Sequence, residues 1–154
     1  MSALLLVKTI HLLSGAVLLG TGLGIAFFML MAHRTRDSVI IARVGRMVVL
    51  ADLLFTATAA VVQPISGAIL ARMEGFRLNE PWLLAAYALY LMIGACWLPV
   101  VWIQLRMTRL AEAAAGAELP ESYYRLFRIW FALGWPAFLG VIAIYGLMLA
   151  KPVL

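Results

Sequence analysis

Four apolar runs, each long enough to cross a lipid bilayer, constrain this chain more than any other feature. Residues 12–32, 82–105 and 129–150 carry no charged side chain, and residues 47–71 carry one, Asp52. A helix rises about 1.5 Å per residue and needs roughly 20 apolar residues to span the hydrocarbon, so every run suffices. In lipid the backbone must satisfy its own N–H and C=O groups, which leaves helices or closed barrels, and barrel strands are only about ten residues long. The expected fold class is therefore all-α, an integral membrane up-down-up-down four-helix bundle. It is read as one transmembrane domain over 1–154, with helices at about 3–33, 38–73, 80–114 and 122–151.

Composition points the same way. Hydrophobic types make up 66% of the 154 residues and charged types 12%, against about 45–50% and 25% in soluble domains. A chain this short cannot bury such an excess in an aqueous core, so the lipid bilayer is its main partner. Its single cysteine, Cys96, excludes an intrachain disulfide or a cysteine zinc site. The net charge of +5 comes from arginines at the ends of the apolar runs. Membrane topology explains that placement, and no nucleic-acid partner is expected. Residues 1–20 do not read as a cleavable signal, because Lys8 interrupts the apolar start and the run continues to Ala32.

The connections carry helix signals. Asp37 and Ser38 suit the start of the second helix, Asn79, Glu80 and Pro81 that of the third, and Ser122 that of the fourth. The loop after helix one holds Arg34, Arg36, Arg43 and Arg46, and the one after helix three Arg106, Arg109, Arg125 and Arg128. The opposite end has only Lys8, Arg72, Arg77 and Lys151. The positive-inside rule then puts the arginine-rich loops in the cytoplasm and both termini outside, in a bacterial inner membrane. Trp82, Tyr87 and Tyr90 fall toward the outer interface and Trp102 toward the inner one.

Few residues inside the spans can carry chemistry. His11 lies about 12 Å into the first helix. An ionisable group at that depth is a functional candidate, and neutral imidazole is a common haem or metal ligand; the structural alternative is a histidine hydrogen-bonded between helices. His33 lies about 33 Å further along the same helix, so one haem cannot take both. A six-coordinate site would need another side chain or a partner subunit, which leaves a homo-oligomer open. Asp52 needs a partner in hydrocarbon, and Arg128, Arg106 and His33 are the candidates. Gln63, beside Pro64, falls at about the depth of His11. Pro64, Pro99 and Pro136 each free a carbonyl in their helix. Gly20 and Gly24, with Gly22 between them, form a small-residue stripe that admits another helix or a flat cofactor. Phosphate loops, catalytic serine or cysteine arrangements and zinc spacings are lacking.

The segment VKTIHLLSGAVLLGTGLGIAFFMLMAHR resembles the opening of the HemJ-type protoporphyrinogen oxidase family, with Lys8, His11, Gly22 and His33 in the matching places. The closing segment resembles that family's last helix, through Tyr124, Arg125, Pro136, Lys151 and Pro152. The chain is also similar to an uncharacterised bacterial family of predicted integral membrane proteins and, more loosely, to the copper-resistance D membrane family. The HemJ resemblance implies a b-type haem on His11 and redox chemistry on a porphyrin-like or quinone-like partner, with the helix-one glycines admitting the ring and Gln63 nearby. One departure bears on the enzyme: that family has a lysine shortly after a tryptophan in helix three, whereas Trp82 is followed by Leu83, Leu84, Ala85, Ala86 and Tyr87. The alternative function is a cofactor-free transporter subunit or assembly partner, in which Asp52 matters more than His11. Copper handling by the eight methionines is a third reading.

Overall fold

The computed structural model describes residues 2–151. Its elements are α1 (Ala3–Thr35), α2 (Ser38–Ala51), a π-helical turn (Asp52–Thr56), α3 (Ala57–Met73), α4 (Pro81–Ala114) and α5 (Glu121–Ala150). The described residues contain no strand. The segment α2–π–α3 is continuous, so the chain makes four helices long and apolar enough to span a membrane, joined by short turns. This is the expected all-helical bundle. Pro152, at the proposed Lys-Pro finish, lies outside the described residues.

Local chemistry sets the helix ends. Ser2 caps α1 by accepting from the Leu5 N–H at 3.3 Å. Asp37 caps α2, its Oδ1 accepting from Val39 and Ile40 at 2.8 and 3.1 Å. Pro81 opens α4, where its missing N–H costs nothing. Ser122, expected to cap the last helix, sits instead inside its first turn, since α5 begins at Glu121 with Pro120 at the cap position. Ser38 takes another role: it is buried and accepts the Gly116 N–H at 2.9 Å, tying the two arginine-rich loops together. Gly116 can turn there because its φ of +92° is open to glycine.

The core is concentrated at the arginine-rich end. Met29, Ile41, Met107, Ala111 and Tyr123 are almost fully buried there, with Phe127 and Trp130 beside them. His33 stacks on Phe127, the ring centres 3.6 Å apart and nearly parallel. A smaller cluster of Ala71, Trp82 and Leu83 closes the opposite end. Trp82 is therefore buried against Phe76 rather than held at the lipid interface as expected. Between the two clusters the bundle is open. The chain exposes 9304 Å², whereas a compact soluble monomer of its 16.9 kDa exposes about 7,700 Å². The extra surface is apolar, with residues such as Leu91, Leu98, Leu139 and Leu149 facing outward, which suits lipid and not water.

The glycine stripe of α1 belongs to that open region. A Cβ built on Gly20, Gly22 or Gly24 meets nothing within 4 Å. Within this chain, therefore, these residues do not mediate the close helix contact expected of them. The close approaches lie elsewhere. Gly45 of α2 rests directly on Thr108 of α4, and Gly140 of α5 on Met92 and Ile93 of α4.

Candidate functional site

Two polar sites sit inside the spans, at different depths. The first joins α1 to α3. His11 Nδ1 lies 3.0 Å from Ser66 Oγ, and His11 Nε2 lies 3.4 Å from Gln63 Nε2. Ser14, one turn further along α1, bonds Gln63 Oε1 and also reaches the His11 carbonyl at 3.0 Å. Ser66 donates to the Val62 carbonyl at 2.7 Å.

One proton arrangement satisfies the three contacts between the two helices, His11–Ser66, His11–Gln63 and Ser14–Gln63. Ser66 has given its own proton to a carbonyl, so its oxygen accepts from Nδ1–H. His11 is then the neutral Nδ1 tautomer, and its Nε2 lone pair receives the Gln63 amide. Gln63 Oε1 takes the Ser14 hydroxyl. Helical spacing puts Gln63 and Ser66, three apart, on one face of α3, and His11 and Ser14 on one face of α1.

Small residues let the two helices meet here. A Cβ on Gly67 would come within 3.0 Å of His11 Cε1. A Cβ on Gly15 would come within 2.9 Å of the Tyr145 hydroxyl and 3.3 Å of Gln63 Nε2. The sequence brought His11 and Gln63 to notice. Ser14, Ser66, Gly67 and Tyr145 escaped it, although Gln63 and Ser66 at i and i+3 with Gly67 alongside form a legible polar stripe. Gly20 and Gly24 are nine and thirteen positions beyond His11, about 14 and 20 Å along the axis, and are not part of this cluster.

The second site surrounds Asp52, which is 4% exposed. Its Oδ1 accepts from the Trp97 indole N–H of α4 at 3.2 Å. None of the three cations expected beside it arrives. The ion pairs among the described residues are Lys8–Glu74, Lys151–Glu74 and Arg46–Glu112. Arg128 and Arg106 are exposed, and His33 is engaged by Phe127 and Tyr123. The inward face of α5 near Arg128 is taken by Phe127 and Trp130, so the arginine points away from the bundle. Asp52 also opens the π turn, in which the Ala57 N–H reaches back five residues to the Asp52 carbonyl. Such turns occur preferentially at functional positions.

The charged end of the bundle near the termini is organised by Glu74, which takes Lys8 at 2.8 Å and Lys151 at 3.4 Å. The Lys8 ammonium holds its carboxyl below the ordinary glutamate range, with help from Lys151. Lys151 also rests on the Phe76 ring, 4.5 Å from its centre.

No curated protein and no solved structure matches the chain. One family does, described as predicted integral membrane protein (DUF2269), and the match runs over residues 5–152. With nearly the whole chain covered, and four membrane-length helices beneath the match, the protein belongs to this family of integral membrane proteins.

Proposed function

We propose that this integral membrane protein is a b-type haem-binding redox protein with His11 as an axial ligand. The observation that carries the reading is the asymmetry of the two ring nitrogens. Nδ1 is held at 3.0 Å by Ser66, whereas Nε2 has only the Gln63 amide at 3.4 Å. An imidazole whose far nitrogen donates to a fixed oxygen is oriented for ligation through the other nitrogen. Gln63 can withdraw from Nε2 and still keep Ser14 as a partner. The residues present therefore fit an axial imidazole. Ser66 would orient it, Gly67 would make room for its ring, and bound haem would supply one-electron chemistry.

The arginine distribution supports a bacterial cytoplasmic membrane with both termini outside: eight arginines lie at the loop end that joins α1 to α2 and α4 to α5, against four basic residues at the other. His11 would then lie in the outer half of the membrane, with an electron partner that is porphyrin-like or quinone-like.

The test is an absorption spectrum of the protein purified in detergent from haem-replete cells. A Soret band is expected, lost in His11→Ala and shifted in Ser66→Ala. Colourless wild-type protein, or a band indifferent to His11→Ala, would overturn the reading. Asp52, which has no cation partner among the described residues, favours a second reading as a cofactor-free transport subunit or assembly partner. That reading predicts loss of function in Asp52→Asn with His11→Ala silent.

A further inference from the structure

Asp52 does not stand alone. Among the described residues, four buried side-chain atoms lack a hydrogen-bond partner: Asp52 Oδ2, Thr56 Oγ1, Gln104 Oε1 and Trp130 Nε1. Their residues are 4%, 8%, 1% and 5% exposed, and an unpaired polar atom at that burial is costly. Helix register brings them to one layer. Gly45 meets Thr108 across the α2–α4 contact. One turn along α4 from Thr108 is Gln104, and two turns along α2 from Gly45 is Asp52. Gly140 meets Met92 and Ile93 across the α4–α5 contact. Ten residues back along α5 from Gly140 is Trp130, and ten forward along α4 from Ile93 is Ile103, next to Gln104. The four groups thus fall within about one to two helical turns, or about 5–10 Å, along the bundle axis.

We propose that Asp52, Thr56, Gln104 and Trp130 form an intramembrane proton-binding site, with the Asp52 carboxyl taking up and releasing the proton. A carboxylate in hydrocarbon must acquire a positive partner. The elements packed against Asp52 offer no fixed one. Residues 12–32 of α1 hold no titratable side chain. Along α4 the nearest are Cys96, Tyr90 and Arg106, of which Arg106 stands two residues from Gln104 but is exposed; on α5 they are Arg128, two residues from Trp130 and also exposed, and Tyr145. On its own helix the nearest charge is Arg46, which pairs with Glu112. The Tyr90 hydroxyl is committed to the Ala60 carbonyl.

The groups in the layer select a proton over a metal ion. Trp97 and Trp130 contribute N–H donors, which repel a cation. Gln104 Oε1 accepts, and the Thr56 hydroxyl both accepts and donates, so the layer can take a carboxyl O–H, or water carrying it, as well as the carboxylate. With no fixed cation beside it in hydrocarbon, the uncharged carboxyl is the form that burial favours. The site is independent of His11 and of any haem there.

The chain has two aspartates, Asp37 and Asp52, which makes the experiment direct. Full-length protein carrying 13C-aspartate, with Asp37→Asn, is reconstituted in lipid nanodiscs and followed by infrared difference spectroscopy across a pH titration. Near neutral pH an isotope-shifted carboxylic-acid carbonyl band is expected. It should disappear on alkalinisation, be absent in Asp52→Asn, and move in frequency in Gln104→Leu or Trp130→Phe. It should not respond to exchanging sodium for potassium. The labelled band is read in protein with Asp52 intact, so the result does not depend on Asp52→Asn folding. An ionised Asp52 throughout the titration, a response to sodium, or a band unmoved by both neighbouring variants would overturn the proposal.

Discussion

Replacing Gly45 by alanine tests the helix contact on which the rest of the packing depends. In an exposed helix interior, alanine is about 1 kcal/mol better than glycine. At Gly45 the added methyl collides with Thr108 Oγ1 and lies 3.2 Å from both Thr108 Cβ and Cγ2. Rotating Thr108 does not relieve this. Either rotation leaves Cβ where it was and gives up the bond from Oγ1 to the Gln104 carbonyl at 2.8 Å. The helices must therefore separate, and overpacking of this kind costs about 1–3 kcal/mol. Set against the propensity gain, Gly45→Ala should destabilise by up to about 2 kcal/mol. Gly134→Ala is the control, because a Cβ there meets nothing within 4 Å; it should be neutral or stabilising by up to about 1 kcal/mol. Unfolding in mixed micelles with increasing dodecyl sulfate, followed by tryptophan fluorescence, measures both. Equal midpoints for the two variants would refute the α2–α4 contact.

Glu74 ties the chain ends to α3, and its carboxyl is depressed by Lys8 first and Lys151 second. The stability it lends is present above the ordinary glutamate range and is lost as pH falls through its lowered value. The thermal midpoint in detergent should drop on acidification and on adding salt, less so in Glu74→Gln, by an amount set by exposed pairs of about 0.2–1 kcal/mol each. Asp37→Ala removes the cap that accepts from Val39 and Ile40 and should lower stability by about 1 kcal/mol in the same assay, whereas Asp37→Asn should keep most of it.

The four spans were legible because lipid imposes a length and a polarity that any 20-residue window reports. Partner choice was not legible, because an apolar run looks the same whichever neighbour it meets. Gly45 and Gly140 make the close helix contacts, whereas the conspicuous Gly20 and Gly24 face open space; spacing identifies small residues but not what lies opposite them. The pairing of His11 with Gln63 was within reach, since both could be placed at one depth by counting from the charged ends. The environment of Asp52 was misread for a related reason. Counting put arginines on its side of the membrane, but outward-facing arginines are solvated at no cost, and buried indoles and amides took the inward positions instead. The π turn was invisible in the sequence, because DLLFT is an ordinary helical string.

That turn explains how one helix serves two sites. Asp52 and Gln63 are eleven residues apart, and eleven steps of about 100° in a regular α-helix bring them within about 20° of the same face. Yet Asp52 meets Trp97 of α4, while Gln63 meets His11 and Ser14 of α1. One inserted residue removes about 100° of that rotation, so the two side chains diverge by about 80°. The three residues inside the turn, Leu53, Leu54 and Phe55, face outward. Deleting Leu54 should restore α-helical register, keep Asp52 against α4, and turn Gln63 and Ser66 away from α1. Ser14→Cys paired with Gln63→Cys, in a Cys96→Ser background, gives the readout: a short thiol crosslinker should join them efficiently in the parent and poorly in the deletion. A second pair, Gly45→Cys with Thr108→Cys on the near side of the turn, should crosslink equally in both and so reports intact folding. Undiminished crosslinking of the first pair after the deletion would mean that the π turn does not set the direction in which α3 faces.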